Sequence, residues 1–176
     1  MSHREPISAK TAAIDLARLL GGTDPIVVRS DDALQLLAER AVRNPACRVL
    51  SVVDADDRLI GLVRVTELLD DVFLKVVPEE ALGSIEDVED ALRYAGHLGA
   101  RTAGDIMQPA VSVRTDDDLR AVFHRLHQSG LNGLPVTDAD GRVVAYVDQL
   151  ELLMAWIETT GRDVLLTPEQ RDEPPA

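Results

Sequence analysis

Two charged pairs occupy the same place in a repeated phrase. "DADDRLIGLVRVTELL" (54–69) and "DADGRVVAYVDQLELL" (138–153) agree at half of their sixteen positions. In the first, Arg64 and Glu67 stand three apart; in the second, Asp148 and Glu151 do. Arg64 and its neighbour Thr66 offer hydrogen-bond donors to an anion, and the charge-assisted bonds of a guanidinium are the strong kind. Asp148 and Glu151, when ionised, offer only acceptors. That pair suits a hard cation such as Mg²⁺, which needs oxygen ligands. A phosphate ~4 Å from Asp148 would be disfavoured by about 4 kcal/mol at a near-surface dielectric.

Other reactive side chains point to no catalysis. His124 and His127 are three apart on a helical stretch, a spacing a metal could use, but they share a polar face with Arg120 and Gln128. Cys47 is the one cysteine, so there is no intrachain disulfide, and no activating base lies near it in sequence. Gly21-Gly22 lacks the Gly-Lys-Ser/Thr of a phosphate loop. No nucleophile triad is recognisable, and the expectation is a non-enzymatic protein without metal or cofactor.

The formal charge of −13 over 176 residues disfavours nucleic acid and anionic lipid as partners. No apolar run approaches the ~20 residues that span a bilayer. The start, "MSHREPISAK", has no signal-peptide apolar region, so the expected compartment is the cytoplasm.

The elements that must position these residues also come twice. "VRSDDAL" (28–34) matches "VRTDDDL" (113–119). In each copy a short strand (26–28, 111–113) leads to Ser30 or Thr115, read as a helix cap with acids behind it. One helix then places Leu34, Leu37, Ala38 and Ala41 on one face; the other does so with Leu119, Val122, Phe123 and Leu126. A strand, a tight turn, a second strand and a last helix follow, and Asp-Gly between apolar runs is a strong hairpin signal. The order is β-α-β-β-α, twice. A three-stranded sheet with two helices cannot bury both its faces alone, whereas two copies together can. "TAAIDLARLL" and "TAGD" supply lead-in helices, "SIEDVEDALRYAGHLG" (84–99) reads as a helix capped by Ser84, and the Pro-rich tail reads as disordered. Val72, Phe73, Trp156 and Ile157 give the last helices matched apolar ends.

"PAVSVRTDDDLRAVF" and "LPVTDADGRVVAYVDQLELL", with their twins, resemble the CBS domain pair, or Bateman module, over roughly 11–73 and 102–160. Small stand-alone bacterial CBS-pair proteins are similar. The resemblance implies an α+β fold: two motifs packed sheet to sheet with pseudo-twofold symmetry. It divides the chain into motif 1 with its lead-in (11–73), a helical insertion (74–101), motif 2 with its lead-in (102–160) and a tail (161–176). It also implies adenosine-containing ligands (AMP, ADP or ATP here), with a carboxylate on the ribose and a hydroxyl or basic residue near phosphate. Carried over by position, the motif 1 candidates are Arg48, Leu50, Arg64, Thr66 and Glu67, with Glu67 at the ribose position. The motif 2 candidates are Asn132, Leu134, Pro135, Asp148 and Glu151. The expected function is a homodimeric regulatory module sensing an adenine nucleotide mainly through motif 1, with an effector protein as a further partner. The alternatives are a ligand-free scaffold and a divalent-cation sensor using Asp148 and Glu151.

Overall fold

The computed structural model describes residues 8–19, 21–76 and 101–153, with backbone alone for 71–76. The expected helix at 84–99, the tail, Trp156, Ile157 and the side chains of Val72 and Phe73 lie outside the described residues.

The order is α1 (Ala13–Leu19), β1 (Val27–Arg29), α2 (Leu34–Arg43), β2 (Val49–Val53), β3 (Leu59–Arg64), α3 (Val65–Val76), α4 (Ala103–Ile106), β4 (Gln108–Pro109), β5 (Val113–Arg114), α5 (Leu119–Ser129), β6 (Gly133–Thr137) and β7 (Val143–Asp148). Residues 149–153 begin a closing helix equivalent to α3. β1 and β5 run parallel to β2 and β6, and β3 and β7 return antiparallel. The helical crossover and the hairpin of each copy dictate that pattern.

Every residue of β2 and β6 is buried. A strand covered on both faces reads as a continuous apolar run, as "VLSVV" and "GLPVT" nearly do. Helices cover one face of each sheet and the other copy covers the second, so one core spans both copies. The hairpin tips meet at equivalent positions, Arg58 bridging to Arg142 in antiparallel sense. A residue paired with its own equivalent marks a pseudo-twofold axis. Each tip is built alike: Oδ1 of Asp54 accepts from the amides of Asp56 and Arg58, and Oδ1 of Asp138 from those of Asp140 and Arg142, all at 2.9 Å. Gly141 is left-handed at φ 82°, as a tight turn favours, and Asp57 adopts the same region at φ 63°.

Ser30 and Thr115 are not helix caps. Asp32 and Asp117 turn back to accept the amides of Arg29 (2.9 Å) and Arg114 (2.8 Å), which closes a turn and delays the helices to Leu34 and Leu119. Asp118 caps α5 through the amide of Ala121; Ala33 precedes α2 without a side-chain cap. The carbonyls of Ser30 and Thr115 serve the lead-ins instead, and they serve the lead-in of the opposite copy. Ala13 and Ile14 donate to Asp117 O (2.7 Å) and Thr115 O (3.3 Å). Ala103 and Gly104 donate to Asp32 O (2.9 Å) and Ser30 O (2.7 Å). The lead-ins are exchanged. The "TAGD" cap forms as expected, Asp105 accepting from the Thr102 amide.

One helix-face expectation fails. Val122 and Leu126 of α5 are buried, but Phe123 is 55% exposed.

Gly104 sits where the exchanged lead-in comes closest. A Cβ there would lie 2.9 Å from Ser30 O. Gly104→Ala is expected to lower stability by about 1–3 kcal/mol through this overlap, measured by urea unfolding; a wild-type midpoint would remove the close approach as a constraint.

Candidate functional site

The exchange places one residue from each lead-in segment against the other copy's Glu. In the first cleft, Gln108 of β4 reaches the first turn of α3. Its Nε2 donates to Oε1 of Glu67, while its Oε1 accepts from Nη2 of Arg64 at 3.1 Å. Glu67 also accepts the Arg64 amide at 3.2 Å through Oε2, and Arg64 Nε lies 4.0 Å from Glu67 Oε1. A neutral amide thus sits between a guanidinium and a carboxylate and meets both. Arg64 Nε is buried without a hydrogen-bond partner. β4 makes this possible by pairing with β3, Leu62 opposite Gln108 and Gly61 opposite Pro109. A Cβ on residue 61 would lie 2.6 Å from Met107 Sδ, so the glycine admits the segment.

The second cleft repeats the plan with other chemistry. Thr23 is the equivalent of Gln108, and its hydroxyl donates to Oε1 of Glu151. Glu151 Oε2 is buried without a partner. Asp148, at the position of Arg64, is 3% exposed; Oδ1 accepts the Leu150 amide at 2.8 Å and Oδ2 accepts nothing. Ala145 stands where Gly61 does, and residues 23–24 form no strand. Beside these carboxylates lie the Tyr146 hydroxyl and the Cys47 thiol. Burial pushes Cys47 up, and the charges of Asp148 and Glu151 add to it against its hydrogen bonds with Ile26 and Val49. Burial, then Cys47 and Asp148, push Tyr146 up; its hydroxyl sits by the Arg48 backbone without a well-formed hydrogen bond.

Arg48 joins neither carboxylate set. It lines a cavity of about 580 Å³ with Asn132, Gln149 and the apolar Phe123, Leu150 and Leu153. Sequence position grouped it with Arg64; the structure turns it toward motif 2's closing helix. Thr66 is exposed, while Leu50 and Leu134 are 0% exposed and Pro135 is buried. These last three are core side chains. His124 and His127 are exposed, and no three His, Cys, Asp or Glu converge among the described residues. Gln108 and Thr23 escaped the sequence reading because they lie just upstream of the matched phrases. Extending the alignment five residues, "TDPIV" over "QPAVS", pairs them.

Residues 20–73 and 103–158 each match the CBS domain family. The chain belongs to the CBS domain family. Its tandem motifs form a CBS pair similar to a CBS domain-containing protein of Thermotoga maritima: 25% identity, 89% of this chain and 99% of that one covered, TM-score 0.65. It is similar in fold to CBSX2 of Arabidopsis thaliana, solved in complex with AMP (20% identity, 85% and 98% covered, TM-score 0.61). It is also similar to the CBS domain pair of protein MJ0100, solved with 5′-methylthioadenosine and S-adenosyl-L-methionine (18%, 83% and 95% covered, TM-score 0.57). No curated protein sequence matches the chain. No described helix is long and apolar enough to cross a membrane.

Proposed function

We propose that this CBS pair is a non-enzymatic regulatory module that binds an adenine nucleotide (AMP, ADP or ATP) in the first cleft. The observation that carries the reading is the Arg64–Gln108–Glu67 cluster. It sets an acceptor for ribose hydroxyls beside a cation for phosphate, and it spans both copies. A ligand seated there meets Arg64 and Glu67 of motif 1 at the point where the other copy's lead-in packs, so it favours one arrangement of the copies. CBS-pair structures of the same fold hold AMP or S-adenosyl-L-methionine, which supports the ligand class.

A second reading has its own observation. Asp148 Oδ2 and Glu151 Oε2 are buried and unpartnered, and unpaired buried carboxylates are strongly disfavoured. A hard divalent cation in the second cleft would supply their partner.

We also propose a homodimer. Leu69 and Leu153 are equivalent positions on α3 and the closing helix, 65% and 51% exposed, and Phe123 lies with Leu153 along the Arg48 cavity.

Three measurements separate these readings. Thermal shift with AMP, ADP and ATP should show stabilisation, ~2.7 kcal/mol at about 100 times Kd, and Arg64→Ala should weaken binding by about 1.5–3 kcal/mol. No shift with any of the three favours the ligand-free scaffold. Titration calorimetry with Mg²⁺ and Ca²⁺ should show binding that Asp148→Asn weakens roughly tenfold; silence from both ions removes the cation reading. Sedimentation velocity should give a dimer that Leu69→Glu with Leu153→Glu converts to monomer, and a wild-type monomer would exclude it.

A further inference from the structure

We infer that Gln108 is an internal competitor for the first cleft, and that a ligand with a vicinal diol enters by displacing it from Glu67 and so loosens β4. The inference rests on the nucleotide reading for its ligand and on geometry alone for the clasp. Glu67 has two carboxylate oxygens. Oε1 is taken by the Gln108 amide, and Oε2 receives the Arg64 amide at 3.2 Å. Gln108 at the same time occupies Nη2 of Arg64. One side chain of the same chain thus holds an oxygen of Glu67 and a nitrogen of Arg64, both groups that a ribose phosphate would use.

That side chain belongs to a short edge strand. β4 is two residues long and lies at the edge of the first sheet. Its hold on β3 is short, and Gln108 is its polar anchor. Upstream, α4 is four residues long and is fastened to motif 1 by the Ala103 and Gly104 amides. A diol offers Glu67 two donors where the Gln108 amide gives it one, so exchange at Glu67 favours the ligand. Once freed, Gln108 no longer anchors β4, and the change passes to 101–109. Thr23 clasps the second cleft through a single hydroxyl and no strand, so the device belongs to the first cleft.

The test pairs hydrogen exchange on the free protein with AMP titration, comparing wild type, Gln108→Ala and Thr23→Ala, with circular dichroism to confirm folding. Free Gln108→Ala should exchange faster across 101–109, whereas Thr23→Ala should match wild type there. Gln108→Ala should also bind AMP roughly tenfold more tightly, because nothing need be displaced. AMP added to wild type should speed exchange in the same segment. Unchanged exchange in free Gln108→Ala overturns the clasp whether or not AMP binds. Weaker AMP binding by that variant makes Gln108 a ligand contact and overturns the competition. Faster exchange with no AMP binding by any form keeps the clasp and overturns the nucleotide reading.

Discussion

The exchange of lead-ins is the constraint on which the rest depends. The turn before each first helix leaves carbonyls facing outward: Ser30 and Asp32 in one copy, Thr115 and Asp117 in the other. Each set accepts two amides from the opposite lead-in. These turns are half-buried, and the carbonyls find their partners in the opposite copy's lead-in. The copies are therefore interlocked by main-chain bonds as well as packed by their sheets. Side-chain divergence leaves those bonds intact, which is why the scaffold stays symmetric where the clefts do not.

Interlocking also decides what a cleft is. Each one takes its carboxylate from the closing helix of one copy and its polar cover from the lead-in segment of the other. Neither is the property of a single motif. Arg48 shows the same logic from the other side: it belongs to motif 1 in sequence and lines a cavity with Asn132 and Gln149 of motif 2.

Much of this was legible in the repeated phrases. The order of three strands in each copy, the hairpin tips and most interior helix positions follow from periodicity and turn chemistry, which are local, whereas β4, the fourth strand of the first sheet, was not foreseen. What was not legible depended on contacts between copies. Ser30 and Thr115 resemble caps because a hydroxyl before two acids usually is one; here the second Asp closes a turn and the carbonyl is used elsewhere. Phe123 matches the apolar stripe of α5 yet lies outside the core, because a stripe shows which positions are apolar and not how far the opposing layer extends. Of the candidate ligand residues, Arg64 and Glu67 are together, Leu50 and Leu134 are core, and Gln108 and Thr23 came only with the fold. The first strands begin later than the sequence suggests, by one residue in β1 and two in β5, because an apolar edge residue is indistinguishable from a strand end until the register with β2 or β6 is known.

The two clefts differ most in how well their charges are met without a ligand. In the first, one carboxamide donates to a carboxylate and accepts from a guanidinium, so it serves both ions with opposite ends of the same group. In the second, a single hydroxyl donates to Glu151, and two carboxylate oxygens stay buried and unserved. Ionised carboxylates are acceptor-only, so the second cleft presents acceptors where the first presents a donor as well. In the first cleft the carboxylate is fully met, and only Arg64 Nε is left without a partner among the described residues. A duplicated scaffold thus carries one carboxylate that the chain serves through both oxygens and, at the equivalent cleft, two carboxylate oxygens that the described residues leave unserved.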